Sequence, residues 1–226
     1  LMSLIGTEFD DGVLTVTLRD EENRNALSVE LTSELAQTLD EAEANPEVRV
    51  IVLTNSGRVF CAGADLSERS SRKESDSQTK PVDPLEIFGR FRKSSKPYIG
   101  KITGHCVAGG MGIAAAMDIS IAIEEAKFGF TEVRIGVAPA MISVLCLSKM
   151  RSAEASEAFL RGNRFSAAEA ARMGLINAAV PANEIDSAVQ EVVSDIKAGG
   201  PEAIAAAKLL LERLEADRER LLLQES

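Results

Sequence analysis

Two glycine-bearing turns and one glutamate hold most of the chemistry this sequence offers. The first turn, Phe60-Cys61-Ala62-Gly63-Ala64-Asp65, follows the apolar run Val50-Ile51-Val52-Leu53. Its small residues leave backbone N–H groups open to a ligand. In the second, Gly104, Gly109, Gly110 and Gly112 crowd the passage into Ile113-Ala114-Ala115-Ala116-Met117. That is a strand–turn–helix pattern, and the first free N–H groups of such a helix stabilise negative charge. Close helix–strand packing accounts for these glycines equally well if the second turn is taken alone. If the two turns converge, two N–H groups meet at one oxygen, as an enolate or thioester oxyanion requires.

Other sites are harder to build from these residues. G-x-G-x-x-G is not matched and G-x-x-x-x-G-K-[ST] does not occur, which argues against a dinucleotide or P-loop site. His105 is the single histidine, so a Ser-His-Asp arrangement would have to use it, and no G-x-S-x-G surrounds a serine. Its expected place is a turn or the core. Cys61, Cys106 and Cys146 lie far apart without C-x-x-C spacing, which excludes a disulfide scaffold or a Cys/His zinc site; Cys106 is expected in the core. Glu124 and Glu125 read as a solvated strand end. By residue type alone Glu132 is a surface carboxylate, and Arg134 either supports its loop from the far side or pairs with it.

Composition sets the frame. The 226 residues are 45% hydrophobic and 27% charged, enough for one core, with a helical appendage at most. A net charge of −10 argues against nucleic acid and against an anionic membrane as partners. No stretch is apolar for long enough to span a bilayer, and no secretory signal is visible, so a reducing, cytoplasmic setting is expected.

The elements alternate. Val13–Leu18 follows the turn signal Asp11-Gly12 and reads as the second arm of a hairpin. Leu31, Leu35, Leu39 and Ala42 recur at helical spacing from Ser28 until Asn45-Pro46 stops them. Val50–Leu53 predicts a strand buried on both faces; Tyr98–Thr103 and Ile119–Ile123 predict two more. Ser166 with Glu169 forms a capping box ahead of a helix that Gly174 ends. Ile185, Ala188, Val189, Val192 and Ile196 form one apolar stripe; Ile204, Ala207, Leu211 and Leu214 form another behind Pro201. The C-terminal segment is expected to pack on the core or on another subunit. The polar stretch Leu66–Pro84 is either a mobile lid beside the site or a solvated loop. The fold class is α/β, and no internal repeat is visible.

An ordered set of segments resembles the enoyl-CoA hydratase/isomerase, or crotonase, family. The set runs Arg24-Asn25-Ala26-Leu27, Phe60 through Leu66, Gly104 through Gly110, Asp118-Ile119, Phe128-Gly129-Phe130-Thr131-Glu132 to Ile135-Gly136, Phe165 through Ala170, and Gly174-Leu175. The resemblance implies a spiral of β-β-α units over residues 1–195, followed by a helical trimerisation region over 196–226, with trimers or hexamers as the assembly. It implies an acyl-CoA substrate, with coenzyme A present only as part of the thioester and no tightly bound cofactor or metal. Carried over, the oxyanion donors are the N–H groups of Ala64 and Gly110. Arg24, Ala26, Ala62, Ala64, Asp65 and Leu66 line the CoA path. Asp65 orients the first turn, and Glu132 is the proton-transfer carboxylate, with its pKa raised beside an acyl chain.

One departure is informative. Family hydratases of the two-glutamate type carry a first glutamate in the helix after the glycines, at the position matched to Ile113. Syn hydration is natural for two carboxylates, whereas a 1,3 proton shift needs only one. Hydration of a 2-enoyl-CoA is therefore the family-level expectation. A Δ3-Δ2-enoyl-CoA isomerase is the close alternative, and a non-catalytic acyl-CoA-binding member is a third. The stretch from Glu215 to Ser226 matches the family poorly.

Overall fold

The structure is a computed structural model that describes residues 3–64 and 82–224, with side chains to residue 216. The expected lid and the two CoA-path positions Asp65 and Leu66 lie outside the described residues. β1 (Ile5–Asp10) and β2 (Val13–Leu18) form the expected hairpin, and Asp11 and Gly12 both take positive φ (42° and 79°) to turn it. α1 (Val29–Ala44) starts at Ser28, whose side chain accepts from the Leu31 N–H.

Strands then enter in pairs, one to each of two sheets. β3 (Val50–Asn55) is followed by β4 (Val59–Cys61), β5 (Tyr98–Ile102) by β6 (His105–Val107), and β7 (Ile119–Ile123) by β8 (Lys127–Gly129). The first of each pair joins a six-stranded sheet, ordered β1-β2-β3-β5-β7-β10 with β10 at Ala178–Val180; the second joins a four-stranded sheet, β4-β6-β8-β9, with β9 at Phe165–Ser166. A helix follows each pair: α2 (Pro84–Lys93), α3 (Gly109–Ala116) and α4 (Ala140–Lys149). The result is a β-β-α spiral, as the resemblance implies, built from three turns that share no visible sequence repeat. α5 (Ser152–Arg161), α6 (Ala167–Arg172), α7 (Ile185–Ala198) and α8 (Pro201–Gln224) complete the chain.

The large sheet is covered on both faces. Ile51 and Leu53 point into the main core with Leu31, Leu35 and Phe91, while Val50 and Val52 point outward to Ile185, Val189 and Val193 of α7. That is why β3 is buried at every position. Each of those α7 side chains contributes about 1.5–3 kcal/mol by leaving water. The Ser166–Glu169 capping box is formed, and Gly174 takes φ +89° at the helix end.

α8 departs from its apolar pattern. Leu211 is 67% exposed and Leu214 60%, whereas Lys208 is 8% exposed and buried. Charge decides the rotation of this helix. The Lys208 ammonium donates to the carbonyls of Phe91 and Lys96 and to Asp118 Oδ2 (3.0, 2.8 and 2.8 Å), and Arg92 pairs with Glu215. Asp118 also accepts from the Tyr98 N–H at 2.7 Å. Turning Lys208 to solvent would leave this buried acceptor set unsatisfied. Lys208→Ala should therefore destabilise the fold by about 3 kcal/mol, read from denaturant unfolding at an unchanged m-value. Among the described residues no helix is long and apolar enough to cross a membrane.

Candidate functional site

The two glycine turns do converge. The loop Arg24-Asn25 takes positive φ at both residues (55° and 49°). It is held by the Asn25 side chain, which is fully buried and donates to the carbonyl of Val59 at 2.8 Å. The Ala62 N–H donates to Arg24 O (3.1 Å) and the Leu27 N–H to Gly63 O (2.7 Å), so the Arg24–Leu27 strap and the first turn form one short ladder. Arg24, Ala26, Ala62 and Ala64 thereby belong to two segments held side by side.

Gly63 (φ +91°) brings this turn against the start of α3: a Cβ there would lie 2.7 Å from the Gly109 nitrogen and 2.7 Å from Ala108 Cβ. A Cβ on Gly109 would lie 3.5 Å from the Ala64 nitrogen, while one on Gly110 would strike Cys61 O at 2.5 Å. Gly109 thus approaches Ala64 closely, and Gly110 next to it packs on β4. Both belong to the first turn of α3, whose N–H groups have no intrahelical partner. Among the described residues no acceptor is assigned to the N–H of Ala64, Gly109 or Gly110. Ala108, the residue before the helix, holds φ +50°, a non-glycine strain of the kind found at functional turns.

Glu132 sits in a 3-10 turn, Thr131–Ile135, that Gly136 closes with φ +76°. It is half-buried, and its Oε2 is buried with no hydrogen-bond partner. Burial pushes its carboxyl above the ordinary range, against a smaller lowering by its own backbone N–H. Burial first, and the Glu132 charge second, raises the Cys146 thiol. Cys146 Sγ lies 3.7 Å from Met111 O, in the first turn of α3.

Arg134 faces away from Glu132. Its Nε donates to the carbonyl of Gly162 (2.6 Å), the residue that ends α5, and no ion pair to Glu132 forms. Ile113, the position matched to the family's first glutamate, is fully buried in the core. Beside it, a Cβ on Gly112 would meet Ile142 Cγ2 at 2.7 Å. Neither residue places a carboxylate near Glu132.

His105 begins β6 and accepts the Lys127 N–H on Nδ1 (3.1 Å). It opens a strand and is part-buried, where a turn or the core was expected. The three thiols are buried and free, and burial pushes Cys61 up to about 12. Cys61 Sγ accepts from the Gly63 N–H at 3.4 Å, helping to shape the turn. Asn25 is the positioning residue that residue types alone did not single out. It lies inside the Arg24–Leu27 run, but only the fold reveals its buried amide. No group of three His, Cys, Asp or Glu side chains able to hold a metal is present among the described residues.

With this geometry in place, similarity to known proteins is informative. The family model described as enoyl-CoA hydratase/isomerase matches residues 8–224. The chain is 34% identical over 197 residues to enoyl-CoA hydratase EchA19 of Mycobacterium tuberculosis, covering 85% of this chain and 74% of that one. It is 29% identical over 208 residues to a short-chain-enoyl-CoA hydratase of Clostridium acetobutylicum, covering 91% and 80%. A crystal structure of an enoyl-CoA hydratase from Mycobacterium avium superposes with a TM-score of 0.84 at 35% identity, covering 96% of this chain and 85% of that one. A match over nearly the whole length, on a β-β-α spiral whose two glycine turns meet, makes this chain a member of the enoyl-CoA hydratase/isomerase family, with the crotonase fold.

Proposed function

We propose that the protein processes acyl-CoA thioesters, holding the thioester oxygen between two backbone donors while Glu132 moves a proton beside it. The observation that carries this is the meeting of the Gly63–Ala64 turn with the first turn of α3. Ala64 supplies one donor, and Gly110, beside Gly109 in the first turn of α3, supplies the other. Negative charge that develops as an enolate is stabilised there by fixed dipoles, and losing one such donor costs about 3 kcal/mol in the transition state. Arg24, Ala26 and Ala62, with Asp65 and Leu66 following, form the path for the CoA moiety, which arrives as part of the substrate. A raised pKa suits Glu132 to proton transfer near neutrality.

The names of the relatives favour reversible hydration of a 2-enoyl-CoA. A second reading, Δ3-Δ2-enoyl-CoA isomerisation, is favoured by one observation: neither Ile113 nor Gly112 offers a second carboxylate, so Glu132 would take a proton from Cα and return it to Cγ. Purified protein offered a 2-enoyl-CoA and a 3-enoyl-CoA in separate assays decides between them. Hydration without isomerisation supports the first, and the reverse supports the second. Binding of CoA esters with no turnover of either would instead favour a non-catalytic member.

Arg134 holds the 3-10 turn from behind, so Arg134→Met should lower kcat about tenfold or more with little change in KM, since small displacements of a reacting group are costly. Steady-state kinetics on the preferred substrate checks this. The core over 1–195 would carry the site, and 196–226 would serve assembly. Leu209, Leu210, Leu211 and Leu214 are 48–67% exposed on α8, which supports a homotrimer or a hexamer, measurable by light scattering. The buried free thiols suit a reducing, cytoplasmic setting.

A further inference from the structure

α3 and α4 meet through one face of α4. Ile142, Cys146 and Lys149 follow one another at helical spacing, so they project from the same side. Ile142 Cγ2 would lie 2.7 Å from a Cβ on Gly112, and the Cys146 thiol donates to the Met111 carbonyl at 3.7 Å. Both contacts fall in the first half of α3, close to Gly109 and Gly110. Lys149 reaches the other end. Its Nζ donates at 2.8 Å to the carbonyl of Met117, the residue that ends α3.

α3 has few fastenings of its own. Ala108 offers it no side-chain cap, and its last turn holds no basic residue. The Lys149 ammonium supplies the missing cation at the negative end of the helix dipole. Burial pulls the pKa of that ammonium down, while Asp118 and Glu215 hold it up against Arg92.

Each helix carries one half of the proposed chemistry. Gly110, in the first turn of α3, is the donor partner of Ala64. The turn bearing Glu132 runs directly into α4, with the Val137 N–H donating to the Glu132 carbonyl at 3.0 Å just before that helix starts. Contacts at Met111 and Gly112 alone would let α3 swing about its donor end. An eight-residue helix is stiff and only about 12 Å long, so what holds its far end also aims its first N–H groups.

We propose that Lys149 is a positioning residue for this reaction: by fastening the C-terminal end of α3 to α4, it fixes the Gly110 N–H relative to Glu132. This role rests on the function proposed above.

Infrared difference spectroscopy of a bound saturated acyl-CoA, isotopically labelled at its thioester carbonyl, reads the donors without turnover. A carbonyl that accepts two fixed hydrogen bonds absorbs at a lower frequency than the free ester. The native protein should show that downshift and Lys149→Met should lose much of it. Lys149→Arg, which keeps a cation able to reach the Met117 carbonyl, should retain it. In steady-state kinetics on an enoyl-CoA, Lys149→Met should lower kcat about tenfold or more with KM little changed. The pH of the limb set by Glu132 should not move. Lys93→Met, exposed at the end of α2, should change nothing. Should Lys149→Met not fold, Lys149→Gln, whose shorter arm cannot reach Met117, answers in its place. A native protein that leaves the carbonyl at its free frequency removes the site reading itself, and this role with it. A native downshift that Lys149→Met leaves intact overturns the role of Lys149 alone, and so does a kcat equal to the native one.

Discussion

Glu132→Gln should reduce turnover by about 10²–10⁴-fold while leaving the protein at least as stable at neutral pH as the native chain. The two effects share one cause. The carboxylate is half-buried, its Oε2 has no partner, and burial raises its pKa. A group whose folded pKa lies above its unfolded value favours folding most when protonated. That contribution is fully present below the unfolded carboxylate pKa and is lost as pH rises through the folded one. At neutrality the ionised Glu132 is therefore a cost, and a neutral amide of nearly the same shape removes it. Used as a base, the same group gives a rate that falls as pH drops through its raised pKa. That limb should vanish in the variant. Paired pH–rate profiles and thermal melts measure both halves. Undiminished turnover in the variant would remove Glu132 from the mechanism, and a variant that melts earlier at neutral pH would contradict the desolvation argument.

Gly63→Ala should be the most damaging single-methyl change at the site, costing about 3 kcal/mol of stability and about 10²–10³-fold in kcat. Gly63 lies at φ +91°, where an L side chain is strained, and its added Cβ would sit 2.7 Å from both Ala108 Cβ and the Gly109 nitrogen. Neither neighbour is the far end of a flexible side chain. Ala108 is itself strained at φ +50°, so relief would have to come from moving the α3 N-terminus away from Ala64. That would part the two proposed donors. Urea unfolding and single-turnover kinetics separate the effects. A variant with native stability and native kcat would show that the two turns need not approach so closely.

Much of this molecule was legible before the fold was known. Ser28, the heptad-like run Leu31–Ala42 and Asn45-Pro46 delimit α1 through local capping and periodicity alone. The same holds for the Asp11-Gly12 hairpin, the Ser166–Glu169 box and the continuous apolar run of β3. These signals depend on neighbours within a few residues, and so they survive in a one-dimensional string. The family motif likewise marked both glycine turns and Glu132. The spiral was legible only through the family resemblance, because its three β-β-α turns share geometry and no residue pattern.

What tertiary structure alone decided concerns groups far apart in sequence. Lys208 reaches Asp118 and the carbonyls of Phe91 and Lys96, and this turns α8 against its own apolar stripe. A buried charge needs its acceptors more than exposed leucines need cover. Asn25 gained its role from the carbonyl of Val59, and Arg134 turned from Glu132 to Gly162. Gly109 proved to lie close enough to Ala64 that a Cβ on it would be 3.5 Å from the Ala64 nitrogen. The sequence by itself determined which residue types could hold an oxyanion and move a proton. Only the packing of the two glycine turns against each other, a contact across some 45 residues of chain between segments with no local reason to meet, brought their backbones to one place.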